Sequence, residues 1–174
     1  MNDFVWFTIL KQVEKALPVV SFLPKRREDV HNHALRHVTH AAAALGHRVD
    51  IAAVKETRAQ GSVVRELLIV NGHLCALHCS SNRFTNRGAK RSYTKTMVTC
   101  STLNLCTSVI FCTVVSDAAP HIFIIPSSVI LATYFDLPRR IATLWLPIER
   151  LPTYKNMHGK IDYWRYENAW PTLS

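Results

Sequence analysis

A chain of 174 residues that is 48% apolar and 19% charged has enough hydrophobic mass for one core, and too little charge for a disordered tail. Its 21 Lys and Arg against 12 Asp and Glu give a formal charge of +9, a field that attracts polyanions, of which nucleic acid is the commonest. The five cysteines include no Cys-x-x-Cys pair and Met1–Leu10 lacks the basic start of a secretory leader, so the composition argues against an oxidising compartment and for an intracellular, cytoplasmic protein.

In chain order, the apolar spacing over Asn2–Leu17 predicts an amphipathic helix stopped by Pro18, followed by the basic run Lys25-Arg26-Arg27. A second helix is predicted over Glu28–Leu45. Val30, Ala34, Val38, Ala41 and Leu45 form its stripe, and Gly46 is its stop. The period then shortens to that of strands, at His47–Val54, Val63–Val70 and His73–Ser80. Asn71-Gly72 lies between the last two and favours the positive φ angles of a tight type I′ turn. Arg83–Lys95 is polar and basic and reads as a loop, and Thr96–Leu105 as a connecting helix or an irregular crossover. The longest apolar region, Leu103–Phe135, is interrupted by Asp117, Pro120, His121 and Pro126. No run in it reaches the ~20 apolar residues of a membrane helix. It reads instead as strands at Thr107–Val115 and His121–Ile125 and a helix over Val129–Phe135 capped by Ser127 and Ser128. Ile141–Ile148 is a further candidate strand, and an aromatic tail follows with Tyr163, Trp164, Tyr166 and Trp170.

The order helix, three-strand meander, crossover, strand, strand resembles the core of the PD-(D/E)XK, or restriction-endonuclease-like, nuclease superfamily. The matching residues are ArgGluLeuLeuIleValAsnGly (Arg65–Gly72) and CysAlaLeuHisCysSerSer (Cys75–Ser81). IlePheIleIleProSerSer (Ile122–Ser128) and TyrTrpArgTyrGluAsnAlaTrp (Tyr163–Trp170) add softer matches. The resemblance covers about residues 28–130 of a single domain. It implies an α/β fold with N-terminal helices and a mixed central sheet containing a three-strand meander. In that family an acid on the second strand and a Glu-x-Lys triplet on the third hold a divalent metal that activates water against phosphate. Carried over by position, Glu66 falls at the acid, Ala76 at the glutamate and His78 at the lysine. Asp50 is an alternative carboxylate. The resemblance therefore implies a relict or atypical site of Glu66, Asp50 and His78, with Glu66 and Asp50 as metal ligands and Mg²⁺ or another divalent cation only if catalysis survives.

Three further groups carry chemistry on paper. Arg83, Arg87, Lys90, Arg91 and Lys95 form a stretch without acids, interleaved with Phe84 and Tyr93, suited to phosphates and bases. His33, His37 and His40 fall in one sector of the second helix, as Zn²⁺ ligands or as its polar edge. Cys75, His78 and Cys79 have metal-like spacing, but on a strand His78 points away from both cysteines. Tyr163, Tyr166 and Trp170 read as core and Trp164 as exposed. These readings converge on a DNA-binding protein with a nuclease-like fold and a decayed catalytic site, and the resemblance implies a setting in a mobile element or defence system. A metal-dependent endonuclease with atypical ligands and a non-enzymatic protein-interaction module, docking a second copy or another protein, stay open beside it.

Overall fold

The computed structural model describes residues 27–52, 66–81, 83–86, 91–115, 119–136, 140–149 and 162–173. The predicted helix over Asn2–Leu17 and the run Lys25-Arg26 lie outside them. Helix α1 (Arg27–Ala44) buries Val30, Ala34, Val38 and Ala42 at helical spacing, and Ala41 and Leu45 flank that stripe. Gly46 follows with φ +80°, the left-handed conformation that closes a helix end at little cost when no Cβ is present.

The chain then lays down β1 (Val49–Ala52), β2 (Glu66–Val70) and β3 (His73–Ser80) as an antiparallel meander. Asn71 and Gly72 take φ angles of 49° and 88°, the positive pair that a type I′ turn requires. The turn is also tied to β1, because the Asn71 side-chain oxygen accepts from the Arg48 backbone N–H at 3.0 Å. Next come β4 (Phe84–Asn86), β5 (Arg91–Thr99) and α2 (Cys100–Leu105). The predicted basic loop is thus an antiparallel ribbon, with Phe84 opposite Tyr93 and Asn86 opposite Arg91. The ambiguous stretch after it divides at Thr99, whose hydroxyl accepts from the Thr102 N–H and caps α2.

Strand β6 (Ser108–Thr113) returns parallel to β3, and β7 (His121–Pro126) pairs antiparallel with β6. The first sheet is therefore mixed and five-stranded, in the order β1-β2-β3-β6-β7. This is the helix, meander, crossover and strand order that the resemblance implies. Helix α3 (Ser127–Tyr134), β8 (Phe135–Asp136) and β9 (Ile141–Pro147) follow. They complete a second, four-stranded sheet in the order β4-β5-β9-β8.

Strand alternation gives the first sheet two buried faces. Leu68, Val70, Cys75, Leu77, Cys112 and Ile124 pack under α1. Leu67, Ala76, Val109, Phe111, Phe123 and Ile125 pack against Val98, Ala142, Leu144 and Leu146 of the second sheet. The tail forms two short 3₁₀ turns, Tyr163–Tyr166 and Trp170–Leu173, that bury Tyr163 and Trp170. It also covers the β7 edge: Glu167 bridges to Phe123, and the Asn168 N–H donates to the Ile122 carbonyl at 2.9 Å. Trp164, expected on the surface, packs instead on His121 and Phe123, with its indole nitrogen buried. Among the described residues no helix is long and apolar enough to cross a membrane.

Candidate functional site

The β2–β3 hairpin fixes where the nuclease-type residues stand. Glu66 is opposite Leu77 in the register, and the residue opposite Ala76 is Leu67. By alternation, position 66 belongs with 68 and 70 on the α1 side, whereas Ala76 and His78 belong to the face turned toward the second sheet. Asp50 pairs with Ile69, which pairs with Leu74. It therefore shares the face of His78 but lies two strands away and four residues along, on the order of 16 Å. Its carboxylate is held by Arg48 at 2.9 Å in an exposed ion pair. The meander thus keeps Asp50 apart from His78.

The position at which the resemblance would put a glutamate is closed. Ala76 has no exposure and stands between Leu67 and Val109 on the neighbouring strands. His78 is 8% exposed, tilted against Phe111 at 5.9 Å, and its Nε2 has no hydrogen-bond partner among the described residues. Burial first, and then the charge of His31, drive its pKa from 6.5 down to about 4, so the ring is neutral near pH 7. Closure at this end comes from the second sheet: the Ser80 hydroxyl donates to the Lys95 carbonyl at 3.2 Å, joining the end of β3 to β5.

The cysteines are packing groups. Cys75 and Cys79 belong to the α1-side core, away from His78, as alternation requires. Burial pushes the Cys75 thiol up to about 12 and the Cys106 thiol up to about 11, and raises that of Cys112 as well. Cys75, Cys106 and Cys112 are therefore thiols at neutral pH and not poised as nucleophiles. Cys79 does meet a histidine, but it is His31 of α1, with Sγ 3.4 Å from Nδ1. That pair spans 48 residues of sequence, and no local spacing announces it. On α1, burial lowers the pKa of His33 and, together with the charges of His33, His40 and His121, that of His37. Among the described residues no group of three His, Cys, Asp or Glu stands close enough to hold a metal ion.

The basic stretch divides. Arg83 is engaged within the fold: its guanidinium donates to the Ser92 hydroxyl at 3.1 Å and pairs with Glu149. Arg87 and Lys90 lie outside the described residues, between β4 and β5. Arg91 opens β5 opposite Asn86. Lys95 is exposed on the outward face of the second sheet, with Nζ 5.5 Å from the centroid of the Trp145 ring, its partner across the β5–β9 ladder. Trp145 was missed in the sequence. The signal available was the alternation IleAlaThrLeuTrpLeu, which puts Trp145 opposite in facing to Leu144 and Leu146.

A second polar cluster joins the layers at the β7 edge. His121 lies 2.7 Å from the Glu167 carboxylate through Nδ1 and 2.8 Å from the Ile148 carbonyl through Nε2. Both neighbours only accept, so a ring protonated on both nitrogens satisfies both.

No family model and no curated protein matches the chain. Among solved structures, the bacterial homing endonuclease I-Ssp6803I superimposes with a TM-score of 0.48 at 11% sequence identity, over 85% of this chain and 91% of that one. At that level the likeness says nothing about individual residues or chemistry.

Proposed function

We propose that this chain is a non-catalytic DNA-binding protein built on a nuclease-like α/β core. The observation that carries the non-catalytic half is the burial of Ala76 and His78 between the two sheets. A divalent-metal nuclease needs carboxylates converging on a site that phosphate can enter. Here an alanine with no exposure and a neutral, buried imidazole hold two of those positions, and Asp50 is paired with Arg48. Imidazole also favours transition metals over Mg²⁺. These residues do not fit the metal that the resemblance implies. What supports the binding half is the charge of +9, with Lys95 exposed and Arg87, Lys90 and Arg91 nearby in sequence.

The test pairs two assays on the full chain. Plasmid incubated with the protein and Mg²⁺ or Mn²⁺ is expected to stay intact. Labelled DNA is expected to bind at low salt, with a log–log salt slope of about −0.9 per phosphate contact on a duplex or −0.7 on a single strand. Cleavage abolished by Glu66→Ala would overturn the non-catalytic reading. Absence of binding at low salt to duplex and single strand alike would overturn the nucleic-acid reading and favour the protein-interaction module.

A further inference from the structure

Cys79 stands apart from the other thiols of the first sheet. It lies near the end of β3, half-buried, with Sγ 3.4 Å from Nδ1 of His31 on α1. Its partner across the parallel β3–β6 ladder is Cys112, which has no exposure. Both are free thiols, and both belong to the α1 side of the sheet. Their side chains therefore leave neighbouring strands in the same direction. Neighbouring strands lie ~4.8 Å apart, within the ~4.4–6.8 Å between Cα atoms that a disulfide spans. The Cys112 thiol, raised first by burial, is raised further by the charge of Cys79, so the two sulfurs are within electrostatic reach. Cys75 and Cys106 also sense each other, but they sit in different core clusters, and the Cys75 thiol bonds the His73 carbonyl rather than a ring nitrogen.

A thiol within reach of an imidazole nitrogen, with a second thiol fixed beside it, suits one chemistry. The nitrogen can take the proton that keeps the sulfur unreactive, and the second thiol can capture the oxidised product before it is oxidised further. We infer that Cys79 is an oxidation site for a small hydroperoxide, with Cys112 as the residue that resolves it into a disulfide joining β3 to β6.

The reaction balances in two steps. The Cys79 sulfur attacks one peroxide oxygen, so an S–O bond forms as the O–O bond breaks. The sulfur loses two electrons and becomes a sulfenic acid. The thiol proton passes through His31 to the departing hydroxide, which leaves as water. The Cys112 sulfur then attacks the Cys79 sulfur, so an S–S bond forms as the S–O bond breaks, and the hydroxide leaves as water with the Cys112 proton. Burial makes Cys112 inert toward reagents in solution. The strand register brings it into the second step by replacing encounter with fixed proximity. The link closes residues 79–112 into a ring that contains β4, β5 and α2, and so fastens the crossover that carries half of the second sheet. Neither cysteine is among the residues proposed to meet nucleic acid.

The experiment exposes the folded, full-length protein to excess hydrogen peroxide, alkylates the remaining thiols after denaturation, and identifies the peptides by mass spectrometry without reduction. A Cys79–Cys112 linked peptide is expected, and dithiothreitol should remove it. Cys75, Cys100 and Cys106 should stay alkylated. Cys112→Ser should lose the link and leave Cys79 as a sulfenic acid that dimedone traps. Cys79→Ser should lose both the link and the dimedone adduct. His31→Gln should slow formation of the link by about 100-fold. A wild-type protein whose Cys79 is unmodified, passes straight to the sulfinic acid, or links to another cysteine or a second chain would overturn the proposal. Dimedone labelling of folded Cys112→Ser at a cysteine other than Cys79 would overturn it as well. An unchanged rate in His31→Gln would overturn the part assigned to His31.

Discussion

The inner face of β3 and the outer face of β5 and β9 lie on opposite sides of the second sheet, and they have opposite fates. The inner face holds Ala76 and His78 where the resembling nucleases hold a glutamate and a lysine, yet the second sheet closes over it. The outer face resembles no nuclease motif, yet it leaves Trp145, Met97 and Lys95 in contact with solvent. The comparison teaches that element order and chemistry are separable. A hairpin can keep its register and its place in a sheet while a second layer removes its access to solvent. Any binding then has to use a surface that the motif does not point to.

The largest effect expected from breaking this contrast comes from restoring the acid. Ala76→Glu puts a carboxylate into an apolar gap with no exposure, and an unpaired buried charge should cost about 3–5 kcal/mol of stability. Urea unfolding measures it. A loss below about 1 kcal/mol would mean that water reaches the gap and that the inner face is not closed.

Acid should weaken the same face. The folded-state pKa of His78 lies below its unfolded value, so the unfolded chain binds the proton first as pH falls. Stability is complete above about pH 6.5, falls between 6.5 and about 4, and levels off below that. The contribution of His78 is about 3 kcal/mol over that window. His33 and His37 act in the same direction. Denaturant midpoints at a series of pH values for wild type and His78→Leu should differ by about one bound proton in slope across that window. Equal slopes would mean that His78 is hydrated.

A smaller effect is expected at the β7 edge, where His121 ties the first sheet to the tail and to the start of the segment after β9. Glu167→Gln replaces a charged acceptor by a neutral one and should cost about 1–2 kcal/mol. Hydrogen exchange of the Asn168 amide, bonded to the Ile122 carbonyl, should speed up before that of the β6 amides. Unchanged exchange would show that the aromatic packing of Trp164 alone holds the tail. The smallest effect belongs to the outer face. Lys95→Ala should change stability by no more than about 0.5 kcal/mol, because an exposed cation over a ring contributes little to folding. A larger loss would make Lys95 a structural residue.

Local signals in the sequence were strong wherever structure follows from neighbours. The stripe Val30, Ala34, Val38 and the stop at Gly46 define α1, and Asn71-Gly72 defines the hairpin to the residue. The runs Ser108–Thr113 and His121–Pro126 became strands because both faces of the first sheet are covered, so continuous apolar sequence suits them. The basic stretch misled for the same reason. Its polarity reads as a loop, but Arg91–Thr99 pairs with β9, about 50 residues later, and no period within the segment reports that partner. Nor does the sequence show that Arg83 meets Glu149, or that Cys79 meets His31 rather than its neighbour His78.

The sequence by itself therefore determined the helix, the hairpin, the apolar strands and the surplus of positive charge, because propensity, turn chemistry and composition are properties of adjacent residues. Which face of each strand stays wet was decided only by the tertiary structure. Leu67, Ala76 and Phe111 are dry because Val98, Ala142, Leu144 and Leu146 of the second sheet belong to the same core cluster, whereas Lys95 on the other side of that sheet is exposed. Alternation fixes that two faces exist, and burial of apolar area against a distant layer selects between them.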